Sequence, residues 1–207
     1  MAWRVFALDE LPDEPWRNGG GRTRTIATQD RQTGEPPWDW RLSVATIERS
    51  GPFSAFPGVD RASVLLGAGR IELSAVGEPI RRLLQPGDAV DYAGAPAWHA
   101  AVQREGPPLS LLNVMTRRGA ATARVHAVRD DTALLGQALA VFAGEGRWRV
   151  VDTAPDADEP QVLTAGHSVV GDPASLTSAP MRWRIERLSS AGWLAAVAIH
   201  EGTHGSR

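Results

Sequence analysis

Two segments of this chain begin alike. Gly67-Ala68-Gly69-Arg70-Ile71-Glu72-Leu73 is echoed 77 residues later by Gly144-Glu145-Gly146-Arg147-Trp148-Arg149-Val150. Leu84-Gln85-Pro86-Gly87-Asp88 is echoed 79 residues later by Leu163-Thr164-Ala165-Gly166-His167. Ala95-Pro96 ahead of Trp98 is answered by Ala179-Pro180 ahead of Trp183. Three matches in one order at a nearly constant offset mark a duplication. A period this long is a repeated domain rather than a solenoid unit.

Each repeat reads as short strands separated by turns. The 21 glycines and 15 prolines interrupt apolar runs that are mostly short, the pattern of an all-β chain. Trp40 to Ile47 alternates, with Trp40, Leu42 and Val44 on one face and Arg41, Ser43 and Ala45 on the other. Arg70–Leu73 and Leu111–Arg117 also suit strands, whereas Ala133–Phe142 fits a strand or a short helix. Strand, glycine turn, strand and Pro-Gly turn in succession is how a jelly-roll barrel reads. The expected organisation is therefore two barrels, residues 1–120 and 121–207, with the division near 119–131. The acidic run Thr153–Pro160 reads as a solvated loop.

Composition excludes several function classes. There is no cysteine, hence no disulfide or thiol nucleophile, and a reducing cytoplasm is the expected compartment. All 22 basic residues are arginine, so Schiff-base chemistry on lysine is excluded. A net charge of −2 argues against nucleic acid as the partner. No apolar run approaches the roughly 20 residues that span a bilayer.

Three stretches then carry a resemblance. They are Trp16-Arg17-Asn18-Gly19-Gly20-Gly21-Arg22-Thr23-Arg24, Trp40–Ala45 leading into Gly51-Pro52-Phe53-Ser54-Ala55-Phe56-Pro57-Gly58-Val59-Asp60-Arg61, and Asn113–Gly119. Together they resemble the HutD/Ves family, strongly over roughly residues 3–120 and loosely beyond. The resemblance implies a bicupin of two RmlC-like jelly-roll β-barrels packed together. It also implies an association with histidine utilisation and binding of a small pathway metabolite such as urocanate or formylglutamate. It supplies no catalytic residues.

The residues themselves favour binding over catalysis. Many cupins hold a metal through a His-x-His pair, but His99, His126, His167, His200 and His204 contain no such spacing. His167 is expected to be exposed in a turn, and His200 and His204 to lie in a frayed tail. No metal, cofactor or catalytic residue is assigned. Ser43 and Ser54 have no histidine partner evident in the sequence, and no Gly-x-Ser-x-Gly elbow exists. The triple glycine is either a tight backbone crossing or a pocket rim where Asn18 and free N–H groups meet an anion.

An arginine-lined anion pocket is the better-supported site. Arg41 and Ser43 share one strand face; Asn113, Met115 and Arg117 share another. If the opposite apolar faces pack against the other sheet or barrel, these residues line the interior, where guanidinium, amide and hydroxyl donors suit a carboxylate. The candidate ligand-binding residues are Asn18, Arg24, Arg41, Ser43, Arg61, Asn113, Met115 and Arg117. The competing reading pairs these arginines with surface acids such as Asp60, with Asp60-Arg61 as an ion pair closing a turn. Phe53 and Phe56 are expected to pack rather than to stack on a ligand. The expected function is non-enzymatic binding of a small carboxylate, with an auxiliary or regulatory role in histidine utilisation. A metal-independent cupin enzyme and a protein that modulates a pathway enzyme are the alternatives. A homodimer through a sheet edge is compatible with either.

Overall fold

Turn glycines set the layout of the strands in the computed structural model, which describes residues 3–31, 33–155, 157, 159–171 and 180–202. Gly69 and Gly146 have φ of 133° and 85°, and Gly87 and Gly166 have 88° and 85°. These left-handed values suit residues without a Cβ, so each repeat turns at the same two places. The Gly87 N–H donates to Leu65 O at 2.8 Å, and the Gly166 N–H to Ala143 O at 2.9 Å. That shared bond makes Leu65 and Ala143 equivalent and aligns the two halves residue by residue. The third sequence match includes Ala179, which lies outside the described residues.

The first half contributes β2 (Glu14–Pro15), β3 (Gly21–Asp30), β4 (Trp38–Ile47), β5 (Gly51–Pro52), β6 (Val59–Leu65) and β7 (Arg70–Ser74), followed by β8 (Arg81–Leu83), β9 (Ala89–Ala93), β10 (His99–Gln103) and β11 (Leu109–Arg117). They form a six-stranded sheet, β2-β3-β4-β11-β6-β9, facing a four-stranded one, β5-β10-β7-β8. The second half contributes β12 (Ala121–Val128), β13 (Thr132–Gly136), β14 (Ala138–Glu145), β15 (Arg147–Asp152), β16 (Gln161–Thr164), β17 (His167–Gly171), β18 (Met181–Arg187) and β19 (Trp193–Glu201). Its four-stranded sheet is β13-β18-β15-β16, opposite β17-β14-β19-β12. The chain is thus an all-β bicupin of two jelly-roll barrels. The stretch 133–142, readable as helix or strand, is strand on both sides of Gln137.

One strand crosses between the halves. β1 (Trp3–Ala7) pairs antiparallel with β17, Trp3 opposite Gly171 and Ala7 opposite His167. The first five described residues therefore extend the sheet of the second half, on the far side of the division expected at residue 120. Arg4 ties this strand back to the first half, its Nη2 donating to Ile26 O at 2.7 Å.

Three apolar layers hold the molecule. Ile47, Leu65, Leu73, Trp98, Leu109 and Leu111 fill the first barrel, and Val141, Trp148, Leu163, Trp183 and Ile185 fill the second. Between the two large sheets lie Trp40, Leu42, Val44, Leu112 and Val114 from the first half, against Phe142, Trp193, Val197 and Ile199 from the second. Each fully buried side chain of this size contributes roughly 1.5–3 kcal/mol. The apolar face of β4 is consumed by this inter-barrel layer, so the alternate face, Arg41 and Ser43, points into the first barrel.

His200, expected in a frayed tail, instead lies in β19 opposite Thr122, because the ladder with β12 continues to Glu201. His204 lies outside the described residues. His167 is exposed, as expected, at the start of β17. No described helix is long and apolar enough to cross a membrane.

Candidate functional site

Six of the eight candidate residues meet at one cavity, five of them by strand parity. β4 supplies Arg41 and Ser43, β6 supplies Arg61, and β11 supplies Asn113 and Met115. Across the ladders Arg41 and Arg61 both stand opposite Met115, while Ser43 and Ser63 both stand opposite Asn113. Asn18 joins them from the segment 14–18, which lies along the rim with Trp16 and Arg17. Pro52, Phe53 and Phe56 close the other wall of a cavity of about 650 Å³, a size suited to a small ligand.

Arg61 dominates the floor. It is only 6% exposed, and its Nε and Nη1 find no hydrogen-bond acceptor. No described carboxylate pairs with it. Its guanidinium carbon lies 5.1 Å from the Tyr92 ring centre, 5.4 Å from Phe53 and 5.9 Å from Phe56. Three ring faces stabilise the cation but accept no N–H bond in its plane. A buried charge without a counter-ion is expensive, and here the guanidinium lies on the cavity wall with two of its nitrogens unpaired within the protein.

The expected pairing of Asp60 with Arg61 is not what forms. Successive residues of a strand face opposite ways; Asp60 points outward and accepts from Arg118 Nε at 2.8 Å, while Arg61 points inward. The Asp60 carboxylate in turn holds the Arg118 guanidinium above its ordinary pKa. Phe53 packs in the first-barrel core, and Phe56 packs against Trp38, Val59 and Met115. Both also face the cavity, so their packing and site roles coincide.

Two candidates lie outside the cavity. Arg24 donates from Nε to Leu11 O at 3.1 Å and sits 3.6 Å from Asp13. Arg117 donates to Asp39 Oδ1 from Nε and Nη2 at 2.8 and 2.6 Å. Both are satisfied by the protein itself. Replacing Arg117 by alanine is expected to cost no more than about 1 kcal/mol, as for other partly exposed ion pairs, and to leave ligand affinity unchanged within twofold. Calorimetric unfolding and a binding titration check both.

The glycine run serves the rim through a close crossing. A Cβ on Gly21 would stand 2.3 Å from the Thr46 carbonyl oxygen, so only glycine lets β3 run beside β4 here. Gly20 N–H donates to Asn18 Oδ1 at 2.9 Å, and Asn18 Nδ2 reaches Pro52 O at 3.5 Å. The glycine run thus makes the tight crossing, Asn18 stands on the cavity rim, and the Gly19 and Gly20 N–H groups are taken up within the turn itself. Gly21→Ala should lower stability by about 1–3 kcal/mol, read as a lower urea midpoint.

Charge at the rim is mixed. Arg41 Nη2 donates to Thr25 Oγ1 at 2.6 Å and lies 3.9 Å from Glu14. Among the described residues Glu14 is the one carboxylate on the cavity wall, and its side chain is 70% exposed. Just outside, the Arg22 hydrogen bond holds the Asp13 carboxyl below its ordinary pKa. That contribution is present above the unfolded-state pKa and is lost as pH falls through the folded value.

Sequence reading missed Ser63 and Tyr92. Ser63 shares the inward face with Arg61 and Leu65, a parity legible in Arg61-Ala62-Ser63-Val64-Leu65. Tyr92 reaches Ser63 only because β9 pairs with β6, which no local pattern reveals.

The second barrel carries no counterpart of this floor. With Leu65 aligned to Ala143, the ladders place Leu139 where the first barrel has Arg61, Val141 for Ser63, Ala196 for Asn113 and Ala198 for Met115. These four belong to the apolar filling of the second barrel. Among the described residues, no three His, Asp or Glu side chains gather as metal ligands.

A family model described as HutD matches residues 8–186. A protein Ves of Citrobacter koseri is 34% identical over 155 residues, covering 74% of this chain and 79% of its own length. An uncharacterised 21.2 kDa protein from the hutC 3' region of Pseudomonas putida is 44% identical over 91 residues, covering 44% of this chain and 47% of its own. The structure of HutD from Pseudomonas fluorescens SBW25 superimposes with a TM-score of 0.73 at 22% identity, covering 97% of this chain and 99% of that one.

Proposed function

The chain belongs to the HutD family, and on that premise we propose that it binds a small carboxylate metabolite of histidine utilisation in the first barrel, without catalysing its conversion. The link to histidine utilisation rests on the family and on the relative from the hutC region. The choice of a carboxylate rests on Arg61, a buried cation with two unmet donors and no protein counter-ion. A carboxylate supplies the missing charge and accepts charge-assisted hydrogen bonds from a guanidinium.

Binding rather than turnover is favoured by what surrounds that cation. Among the described residues no histidine lines the cavity, and the one carboxylate on its wall is the exposed Glu14 at the rim. General acid–base catalysis needs a titrating group held within hydrogen-bond reach of the reacting atom, and the floor around Arg61 offers amide, hydroxyl and guanidinium groups instead. Urocanate and formylglutamate are the ligands to test first, in the cytoplasm where such metabolites would arise. The role that follows is auxiliary: a protein whose occupancy reports or limits the metabolite level.

Thermal unfolding in the presence of urocanate, formylglutamate and histidine tests the reading. At 100 times its dissociation constant a ligand adds about 2.7 kcal/mol to stability, a shift of several degrees for a chain of this length. Stabilisation by one of the acids supports the proposal. No shift with any of them at millimolar concentration overturns it.

A further inference from the structure

Arginines gather on the outer face of the second barrel's four-stranded sheet. Along β15 and β18 the buried residues Trp148, Val150, Trp183 and Ile185 point into the barrel. The alternate positions face solvent, and they hold Arg147, Arg149, Arg182 and Arg184, all exposed. One acid stands among them: Glu186 accepts from Arg149 Nη1 at 3.2 Å and from Arg184 Nε at 2.8 Å. The Arg147 and Arg182 guanidinium groups meet no acid or acceptor among the described residues. Arg187, at the border, pairs with Asp130 at 3.3 Å. The face thus sets four positive charges against one negative, on a chain whose formal net charge is −2.

The first barrel shows that the fold does not require this. The turns at Gly69 and Gly146 make Arg70 and Arg147 equivalent, and the ladders carry the alignment across each small sheet. Glu72 stands opposite Arg82 on β8, where the second barrel has Arg149 opposite Val162 on β16. Ser74 stands opposite His99, where the second barrel has Val151 opposite Arg184. Arg82 Nε donates to Glu72 at 2.9 Å, so that pair is neutral in the first barrel. In the second, an arginine replaces the acid and an exposed valine replaces its cation. Positive charge is gathered on the barrel whose interior holds no polar floor.

Apolar groups lie between the arginines. Leu135, opposite Arg182, and Val162, opposite Arg149, are 45% and 49% exposed. Arginines interleaved with apolar side chains suit a protein interface, in whose core arginine is enriched. A phosphate backbone is matched less well. Glu186 stands within the array, and no outward position of β13, β15, β16 or β18 holds an aromatic ring on which a base could stack. A second copy placed face to face would set like charge against like. Four strands about 4.8 Å apart present a face of several hundred Å², below the roughly 800 Å² per partner of a stable complex. Such a face supports a transient contact steered by charge.

Independently of the ligand cavity, we propose that this arginine face docks an acidic protein surface.

The test is binding of the full chain at low salt to poly-L-glutamate and to a random glutamate–tyrosine copolymer of equal length, beside duplex DNA of similar charge. Wild-type protein is expected to bind both polypeptides, the copolymer more tightly, and DNA most weakly. Joint replacement Arg147→Ser and Arg182→Ser should weaken polypeptide binding by at least about tenfold. Neither side chain has a partner in the fold, so the melting temperature should hold. The shift induced by urocanate should hold too, which keeps this test separate from that of the cavity. Val162→Ser should remove the copolymer's advantage. Arg70→Ser with Arg82→Ser, on the aligned face of the first barrel, should leave binding within about twofold. A first-barrel pair that matters as much as the second-barrel pair overturns the assignment, as does wild-type protein that binds neither polypeptide. Tighter binding of duplex DNA overturns the protein partner. Self-association in sedimentation that the Arg147 and Arg182 replacements abolish would make the occupant a second copy and overturn it likewise.

Discussion

Replacing Arg61 by methionine is expected to raise the melting temperature of the free protein and to abolish its stabilisation by carboxylates. The two effects have one cause. The guanidinium is almost fully buried, with two donors lacking acceptors and no acid beside it. Substituting buried ionic groups by apolar ones of similar volume is neutral or stabilising, by about 1–4 kcal/mol. Methionine has similar length, and Phe53, Phe56, Tyr92 and Met115 already provide apolar walls. The bound state, in contrast, loses its charge-assisted pair, worth on the order of 2–5 kcal/mol for a desolvated one. Calorimetric unfolding with and without urocanate reads both signs at once. A variant less stable than wild type, yet still shifted by the ligand, would show that Arg61 serves the fold and not the ligand.

Trp193→Ala is expected to be the most damaging substitution away from the site, at about 3–5 kcal/mol. The indole stands at the junction of the barrels. A Cβ on Gly144, in the second half, would lie 2.2 Å from its ring, and one on Gly87, in the turn of the first half, 3.3 Å. Two glycines thus make room for one tryptophan, and removing the ring opens a void that flanking backbone cannot fill. With roughly 2–4 °C per kcal/mol in a chain of this size, the melting temperature should fall by about 6–20 °C. Because Trp193 packs in the inter-barrel layer and not on the cavity wall, the carboxylate-induced shift should survive. A loss below about 1 kcal/mol in urea unfolding would mean that the two barrels do not depend on this layer.

The two expectations concern opposite faces of the same sheet. β4 and β11 each send alternate residues to the inter-barrel layer and to the cavity. Leu112 and Val114 are packed beside Trp193's layer, while Asn113 and Met115 look inward. The apolar layer is therefore what holds the polar face in register, and the cavity floor inherits its rigidity from packing between barrels.

Much of this was legible in the chain itself, for reasons that can be traced to particular residues. The Gly67 and Gly144 repeats, with the Gly87 and Gly166 turns, reveal duplication because a positive-φ turn restricts which residue can stand there. The alternation from Trp40 to Ile47 divides core from cavity because strand geometry has a period of two. By the same rule Asp60 and Arg61 cannot share a face, a consequence that adjacency in sequence obscures.

What the tertiary structure alone decided is who meets whom. Arg117 and Arg61 look equivalent in the sequence, yet Arg117 finds Asp39, 78 residues away, and Arg61 finds none. Tyr92 meets Ser63 through the pairing of β9 with β6, and the first strand leaves its own half to pair with β17. Alternation is a local property of one backbone, so it can be read from one stretch of residues. Counter-ions, hydrogen-bond partners and sheet partners depend on which strands lie side by side, and that is settled by the burial of all three apolar layers at once. The sequence by itself determined two barrels and the alternation that turns Arg61 inward; the pairing of strands decided that its Nε and Nη1 meet no acceptor among the described residues.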